Sequence, residues 1–118
     1  MEIKFYKNKN TGNIIFSEDV LESENFTLLK ENTADAAFEK HVPVYEVKDD
    51  KIEVKVGEVP HPMTEEHYIM WIMQVSERNI NIIKLNPGEK AVVTFDYIKD
   101  SEIYAYCNLH GLWKTKVK

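Results

Sequence analysis

Short stretches in which apolar and polar residues alternate dominate the chain. In KIEVKVGEV, the apolar residues Ile52, Val54 and Val56 alternate with charged ones, which predicts a half-buried β-strand. HYIMWIMQV is apolar at consecutive positions, as expected for a central strand buried on both faces. AVVTFDYI, EIYAYCN and GLWKTKV have the composition of further strands. The pattern therefore predicts an all-β protein.

Turn-forming residues separate these strands at regular intervals. They are Asp49-Asp50, Glu77-Arg78-Asn79, Pro87-Gly88 and Asp100-Ser101. From Val42 onward the spacing is that of about seven strands, which predicts an immunoglobulin-like seven-stranded β-sandwich. The preceding NTADAAFEKH is expected to form one helical turn or a loop that leads into the sandwich.

The first 30 residues have a different texture. IKFYK, NIIFS and FTLLK are strand-like pieces separated by polar turns, and they are too short to hold a core alone. We therefore predict two parts, a small strand-rich appendage over residues 1–30 and the sandwich over residues 31–118.

Composition narrows the class of protein. Hydrophobic residues make up 43% of the 118 residues, which is enough for a core, and the net charge of −5 without a basic stripe argues against nucleic-acid binding. No apolar run approaches the ~20 residues of a membrane span, and no secretory signal is evident. A single cysteine cannot form an internal disulfide. We expect a cytoplasmic protein with no membrane partner.

The chain concentrates its metal-binding residue types in three short contexts, FEKHVPV, EVPHPMTEEHYIMWI and YCNLHGLWK. His61 and His67 are six residues apart and would face different sides of a helix, so a loop has to bring them together. Cys107 and His110 flank a predicted tight turn, a spacing that lets a thiolate and an imidazole reach one ion. We expect every one of these residues at a strand end or in a loop. The candidate ligands are His41, His61, His67, Cys107 and His110.

Three interpretations of this constellation remain open from the residues alone. Five donors exceed the four of a structural zinc site and suit iron, which accepts five or six. A cupredoxin-like copper protein also places Cys-x₂-His near its carboxy terminus, but it needs one further histidine and usually a methionine, and none follows His110. A metal-free binding module would treat Cys107 as a packed thiol. A cysteine–histidine hydrolase is not among these three, because it would leave three histidines unexplained and no orienting acid is identifiable.

The segments EKHVP, HPMTEEHYIMWI and CNLHGLWK, in this order, resemble the superoxide reductases, the desulfoferrodoxin and neelaredoxin group. The resemblance runs from about Asn32 to the last residue. It implies an enzyme, an oxidoreductase in which Fe(II) gives one electron to superoxide and two protons complete hydrogen peroxide. It also implies one mononuclear non-haem iron, with Cys107 as axial ligand and with the equatorial ligands His41, His61, His67 and His110.

Two further site residues follow from the resemblance. Glu39 corresponds to the glutamate that occupies the sixth position of the oxidised iron, and Lys40 to the lysine beside the open face. Such a protein would take electrons from a small carrier such as rubredoxin and would form a homo-oligomer, a dimer or tetramer. We further expect the backbone N–H groups of Leu109 and His110 to donate hydrogen bonds to the sulfur.

The amino-terminal FYKNKNTGNII is similar to the start of the two-iron desulfoferrodoxins, whose small desulforedoxin-like domain binds a second iron through four cysteines. Asn8 and Thr11 stand where the first cysteine pair would be, and Ser23 to Asn25 where the second would be. Without thiolates that second centre cannot form. We therefore expect residues 1–30 to be a metal-free remnant that serves packing or dimerisation.

Overall fold

The computed structural model describes all residues, 1–118, and the chain divides into two compact units, Met1–Lys30 and Glu31–Lys118. The first unit is a three-stranded antiparallel sheet of Lys4–Asn8 (β1), Ile14–Ser17 (β2) and Phe26–Leu28 (β3), in the order β2-β1-β3. Phe5 and Tyr6 of the central strand are buried, and the Tyr6 hydroxyl accepts a hydrogen bond from the Leu21 backbone N–H at 2.9 Å.

Side-chain hydrogen bonds close the turns of this amino-terminal unit. The Asn8 carbonyl Oδ1 accepts from the backbone N–H groups of Asn10 and Thr11, at 2.8 and 3.0 Å. The Ser23 hydroxyl oxygen accepts from the Asn25 N–H at 3.2 Å. These are local Asx and ST turns, in which a short polar side chain satisfies the backbone of the bend.

The second unit contains seven antiparallel strands in two sheets, so the predicted seven-stranded sandwich is confirmed. The strands are Pro43–Lys48 (β4), Lys51–Val56 (β5), Ile69–Val75 (β6), Ile80–Lys84 (β7), Val92–Asp96 (β8), Glu102–Cys107 (β9) and Gly111–Lys116 (β10). One sheet has the order β10-β9-β6-β7 and the other the order β4-β5-β8.

The core lies where the inward faces of the two sheets meet. In β5 the predicted alternation holds, because Ile52, Val54 and Val56 are buried while Lys51 and Lys55 are exposed. In β6 nearly every residue is buried, as expected for a strand with neighbours on both sides. β9 pairs with β6 and β10, and its last residue is Cys107. The core thus fixes the end of β9 at which the thiol lies.

The only helix, Phe38–His41 (α1), is a single turn that enters β4. It ends at His41 because Val42, which precedes Pro43, adopts an extended conformation with φ −70° and ψ 123°. Of the two alternatives expected for NTADAAFEKH, the helical turn is therefore the one present, and His41 is its last residue rather than part of a strand end or loop. No helix in the structure has the length and apolarity required to cross a membrane.

Candidate metal centre

Three segments of the sandwich unit bring the candidate ligands together. His41 comes from the end of α1, His61 and His67 from the loop between β5 and β6, and Cys107 from the end of β9. The ligand atoms of these four residues all lie within 4.8 Å of one another. His110, in the β9–β10 turn, places its Nδ1 3.1 Å from the His41 Nε2 and 3.9 Å from the Cys107 Sγ. The structure thus brings all five residues together.

The four imidazole rings form a square. Successive ring centroids around it, in the order His41, His61, His67, His110, are 4.5, 4.6, 4.9 and 4.9 Å apart, and neighbouring rings meet edge to face. The diagonal between His41 and His67 is longer, at 6.3 Å. Ligands at the corners of a tetrahedron would all be equally far apart. The rings therefore suit four ligands in one plane, which is unlike a tetrahedral structural zinc site.

Hydrogen bonds fix the tautomers of two of the imidazoles. The His41 Nδ1 lies 2.7 Å from the Ala37 carbonyl oxygen, and the His61 Nδ1 lies 2.6 Å from the Pro62 carbonyl oxygen. A carbonyl only accepts, so each Nδ1 carries the hydrogen and the Nε2 of the neutral ring is an unprotonated acceptor. These two Nε2 atoms are 3.0 Å apart. Two lone pairs at this distance repel each other unless a cation lies between them, so the ring orientations fit a metal ion.

A third imidazole has an unsatisfied nitrogen. The His67 Nε2 is buried and has no hydrogen-bond partner. Two backbone hydrogen bonds of a turn hold His67 in place. The Thr64 N–H donates to the His67 carbonyl oxygen at 3.0 Å, and the His67 N–H donates to the Thr64 carbonyl oxygen at 3.2 Å. A buried polar atom without a partner costs free energy, and metal coordination would remove that cost.

Burial favours the neutral form of three of the imidazoles, those of His41, His61 and His67. It is the main reason that the pKa of His61 falls to about 4, and it also lowers the pKa of His41 and of His67. The positive charge of Lys40 makes a smaller contribution in the same direction for His41 and His67. Because only the neutral imidazole binds a metal, the cluster is ready to coordinate one at neutral pH.

Two opposing effects act on the Cys107 thiol. Cys107 is fully buried, and burial raises the pKa of its thiol. The backbone N–H groups of His110 and Leu109 donate hydrogen bonds to the sulfur and act in the opposite direction, as predicted. A metal ion at the cluster would deprotonate such a thiol outright, and the two N–H groups would then stabilise the thiolate.

Two residues that the sequence analysis missed hold the ligand segments. A Cβ added to Gly57 would lie 2.8 Å from the Glu39 carbonyl oxygen and 2.9 Å from the Lys40 carbonyl carbon, so only glycine fits against the backbone of α1. The Asn108 side chain donates to the Glu66 carbonyl at 2.9 Å and accepts from the Tyr68 N–H at 3.0 Å, thereby bracketing His67. Neither residue carries metal chemistry, so motif analysis offered no signal for them.

Glu39 and Lys40 directly precede His41 in α1, and both are exposed to solvent. The Glu39 carbonyl oxygen accepts a hydrogen bond from the Val59 N–H at 2.8 Å, which ties α1 to the loop that carries His61. The charge of Lys40 reaches the cluster, as its effect on the pKa of His41 and His67 indicates. Lys40 is therefore close enough for its charge to act on the cluster, and Glu39 precedes it in the same helical turn.

The geometry and the comparisons with known proteins point to the same family. The family model described as desulfoferrodoxin matches residues 33–116. The chain belongs to the desulfoferrodoxin family. It is 38% identical to a desulfoferrodoxin of Clostridium acetobutylicum over 122 residues, covering 98% of each chain. It is 39% identical to a superoxide reductase of Thermococcus kodakarensis, with 67% of this chain and 86% of the relative covered.

Solved structures of desulfoferrodoxin relatives agree. The crystal structure of the superoxide reductase from Treponema pallidum matches with a TM-score of 0.80 and 36% sequence identity, covering 98% of this chain and all of that one (100%). The match therefore extends over both units. A blue-copper site, with two imidazoles, one thiolate and a weak axial ligand, does not account for the square of four imidazoles.

Proposed function

We propose that the protein is a superoxide reductase that reduces superoxide to hydrogen peroxide at one mononuclear non-haem iron. The observation that carries this proposal is the square of four imidazoles with a buried thiol among them. The family membership and the relatives named superoxide reductase support it. The proposed ligands are His41, His61, His67, His110 and Cys107.

Iron bound here would supply one electron to superoxide, which leaves as hydrogen peroxide once two protons are added. The protein contributes the electronic setting for that step. Four neutral imidazoles would add no charge of their own, whereas the Cys107 thiolate would donate electron density to the metal. The backbone N–H groups of Leu109 and His110 moderate this donation, because a hydrogen bond to sulfur withdraws part of its charge.

Lys40 has the role of attracting the anionic substrate. The chain has a net charge of −5, so its overall field repels superoxide. A local positive field is then needed at the site, and the exposed Lys40 ammonium supplies one beside the cluster. Glu39, one residue earlier on the same helical turn, is the proposed sixth ligand of the oxidised centre, where its carboxylate would occupy the substrate position between reactions.

The chain offers a single candidate metal centre, so the electrons for it have to come from another protein. The cluster of three histidines and Cys107 is the one group of this kind with metal-binding spacing, and residues 1–30 contain no histidine or cysteine. We therefore infer that a separate small electron carrier such as rubredoxin reduces the iron.

The cellular setting follows from the cysteine content, since a single unpaired thiol suits a reducing cytoplasm. Residues 1–30 would be the metal-free remnant of a desulforedoxin-like domain, and self-association as a dimer or tetramer stays a prediction.

The stoichiometry of the reaction with superoxide tests the proposed function. Iron-loaded ferrous protein is mixed with a pulse of superoxide generated by radiolysis, and the peroxide and oxygen formed are measured. We expect one hydrogen peroxide for each superoxide consumed and no oxygen, because the electron comes from the protein. Cys107→Ser, loaded with iron in the same way, is the control.

Release of oxygen together with half as much peroxide would identify a dismutase and contradict the proposal. A ferrous protein that leaves superoxide to decay at its spontaneous rate would contradict it as well.

A further inference from the structure

Trp113 contacts two of the segments that carry imidazoles. It lies in β10 and is fully buried. Its indole stacks on the His41 ring, with 4.9 Å between centroids and 28° between planes. Its Nε1–H donates a hydrogen bond of 3.0 Å to the His110 carbonyl oxygen. One side chain thus contacts a residue before β4 and a residue in the β9–β10 turn.

These contacts restrict motions that the other hydrogen bonds leave open. The Ala37 carbonyl holds the His41 ring at one edge, through Nδ1. The stacked indole covers one face of the same ring and prevents its rotation about the Cβ–Cγ bond. The position of His110 also has to be restricted, because this residue lies in a short turn and is only half-buried. The bond to its carbonyl oxygen fixes the peptide from which that ring projects.

Phe38 also contacts the indole of Trp113. Its ring meets Trp113 edge to face, with 5.1 Å between centroids and 84° between planes. Phe38 is the first residue of α1 and His41 the last, so the indole contacts this helical turn at both ends. His41 and His110 occupy adjacent corners of the imidazole square. Trp113 therefore sets the position of one side of that square.

We propose that Trp113 is a positioning residue that holds His41 and His110 in the orientation the metal requires and thereby controls how tightly the metal is retained. This inference rests on the proposed iron site. Residues that orient metal ligands typically account for about 10–100-fold in metal affinity. The stacking and the hydrogen bond are separable, because phenylalanine keeps a ring against His41 but has no N–H for His110.

The test compares Trp113→Phe, Trp113→Leu and wild type, all loaded with iron. The readouts are the ferric absorption spectrum and the rate at which a strong chelator removes ferrous iron. We expect Trp113→Phe to lose iron about tenfold faster and Trp113→Leu about 100-fold faster, each with a shifted thiolate-to-iron band. Trp71→Phe is the matched control, since this second buried tryptophan stacks on Tyr106, with 5.7 Å between centroids. It should keep the wild-type spectrum and release rate.

Thermal unfolding of each variant separates positioning from general packing. If Trp113→Leu does not fold, Trp113→Phe decides the question. Wild-type release rates and spectra in Trp113→Phe and Trp113→Leu would overturn the inference and leave the iron site intact. Equal acceleration in Trp71→Phe at an equal loss of Tm would overturn it too, because a weakened core would then be the cause. A wild-type protein without a thiolate-to-iron band would overturn the proposed function itself, and with it this inference.

Discussion

The two units are built from the same antiparallel strands but close their loops with different chemistry. In the amino-terminal unit, Asn8 and Ser23 close turns by accepting hydrogen bonds from nearby backbone N–H groups. In the sandwich unit, His41 and His61 each bond one ring nitrogen to a backbone carbonyl and turn the other nitrogen toward each other. In the first kind of loop, the polar side chains already have hydrogen-bond partners in the backbone. The second kind leaves ring nitrogens that a cation would satisfy, so the residues suited to metal binding lie in the sandwich unit.

The units also differ in how much packed structure supports their loops. The amino-terminal unit has one three-stranded sheet, whereas the sandwich buries the inward faces of two sheets. Binding sites need side chains supported by rigid elements. A cluster of five ligands from three segments is therefore better supported at the end of a packed sandwich than on a small sheet.

Replacing the Cys107 thiol of the sandwich unit should have the largest effect on the metal centre. In Cys107→Ser we expect complete loss of the thiolate-to-iron charge-transfer band, because the hydroxyl is a far poorer donor than the thiolate. Absorption spectroscopy of the oxidised, iron-loaded protein measures this. Ser23→Ala, which changes a turn of the amino-terminal unit, should keep the band. A full band in Cys107→Ser would remove the cysteine from the metal centre.

Adding one methyl group to Gly57 should disturb the cluster from outside it. The new Cβ would lie 2.8 Å from the Glu39 carbonyl oxygen, so the backbone of α1 has to move and His41 with it. We expect Gly57→Ala to lower the free energy of unfolding of the sandwich by about 1–3 kcal/mol and to shift the ferric spectrum. Chemical denaturation and absorption spectroscopy measure the two effects. Wild-type stability and spectrum would mean that α1 is not held by this contact.

Neutralising Lys40 should slow the reaction without changing the metal centre. We expect Lys40→Ala to react with superoxide about tenfold more slowly and with weaker dependence on ionic strength, because a local positive charge is gone. Lys40→Arg should recover much of the rate. Pulse radiolysis at two salt concentrations measures this.

Lys99 provides a matched control, because it lies in the turn before β9, at the opposite end of that strand from Cys107. Lys99→Ala should react at close to the wild-type rate. Equal rates for Lys40→Ala and wild type would mean that the lysine plays no part in attracting the anion.

The smallest effect is expected in the amino-terminal unit. Asn8→Ala removes the acceptor of two backbone hydrogen bonds, at 2.8 and 3.0 Å, so we expect a loss of about 1 kcal/mol in local stability. Amide hydrogen exchange within residues 1–30 measures it, with the neighbouring Asn10→Ala as control. The ferric spectrum should be unchanged. A changed iron spectrum would mean that the two units are not chemically independent.

Much of this architecture was predictable because its determinants are local. Alternation in Ile52, Val54 and Val56 predicted β5, and the apolar run of HYIMWIMQV predicted the buried β6. The ligand set was predictable for a different reason, since histidine and cysteine are scarce in this chain and cluster in three contexts. A scarce residue type with metal chemistry is a strong signal in a sequence.

The supports of the cluster were not predictable in the same way. Gly57 matters because the α1 backbone passes close to it, and Trp113 because its indole reaches both His41 and His110. Each of these facts depends on how distant segments pack. The sequence left open whether NTADAAFEKH forms a helical turn or a loop, because one turn of four residues has too short a periodic pattern to decide.

The central claim is that the sandwich unit holds one iron with four imidazoles and one thiolate. X-ray absorption at the iron edge, on ferrous protein whose metal content has been determined, measures the ligands of that iron directly. The account predicts one iron per chain with four nitrogen neighbours and one sulfur neighbour, and the sulfur signal should disappear in Cys107→Ser. An iron spectrum without a sulfur neighbour, or zinc or copper bound at one equivalent in its place, would contradict the account.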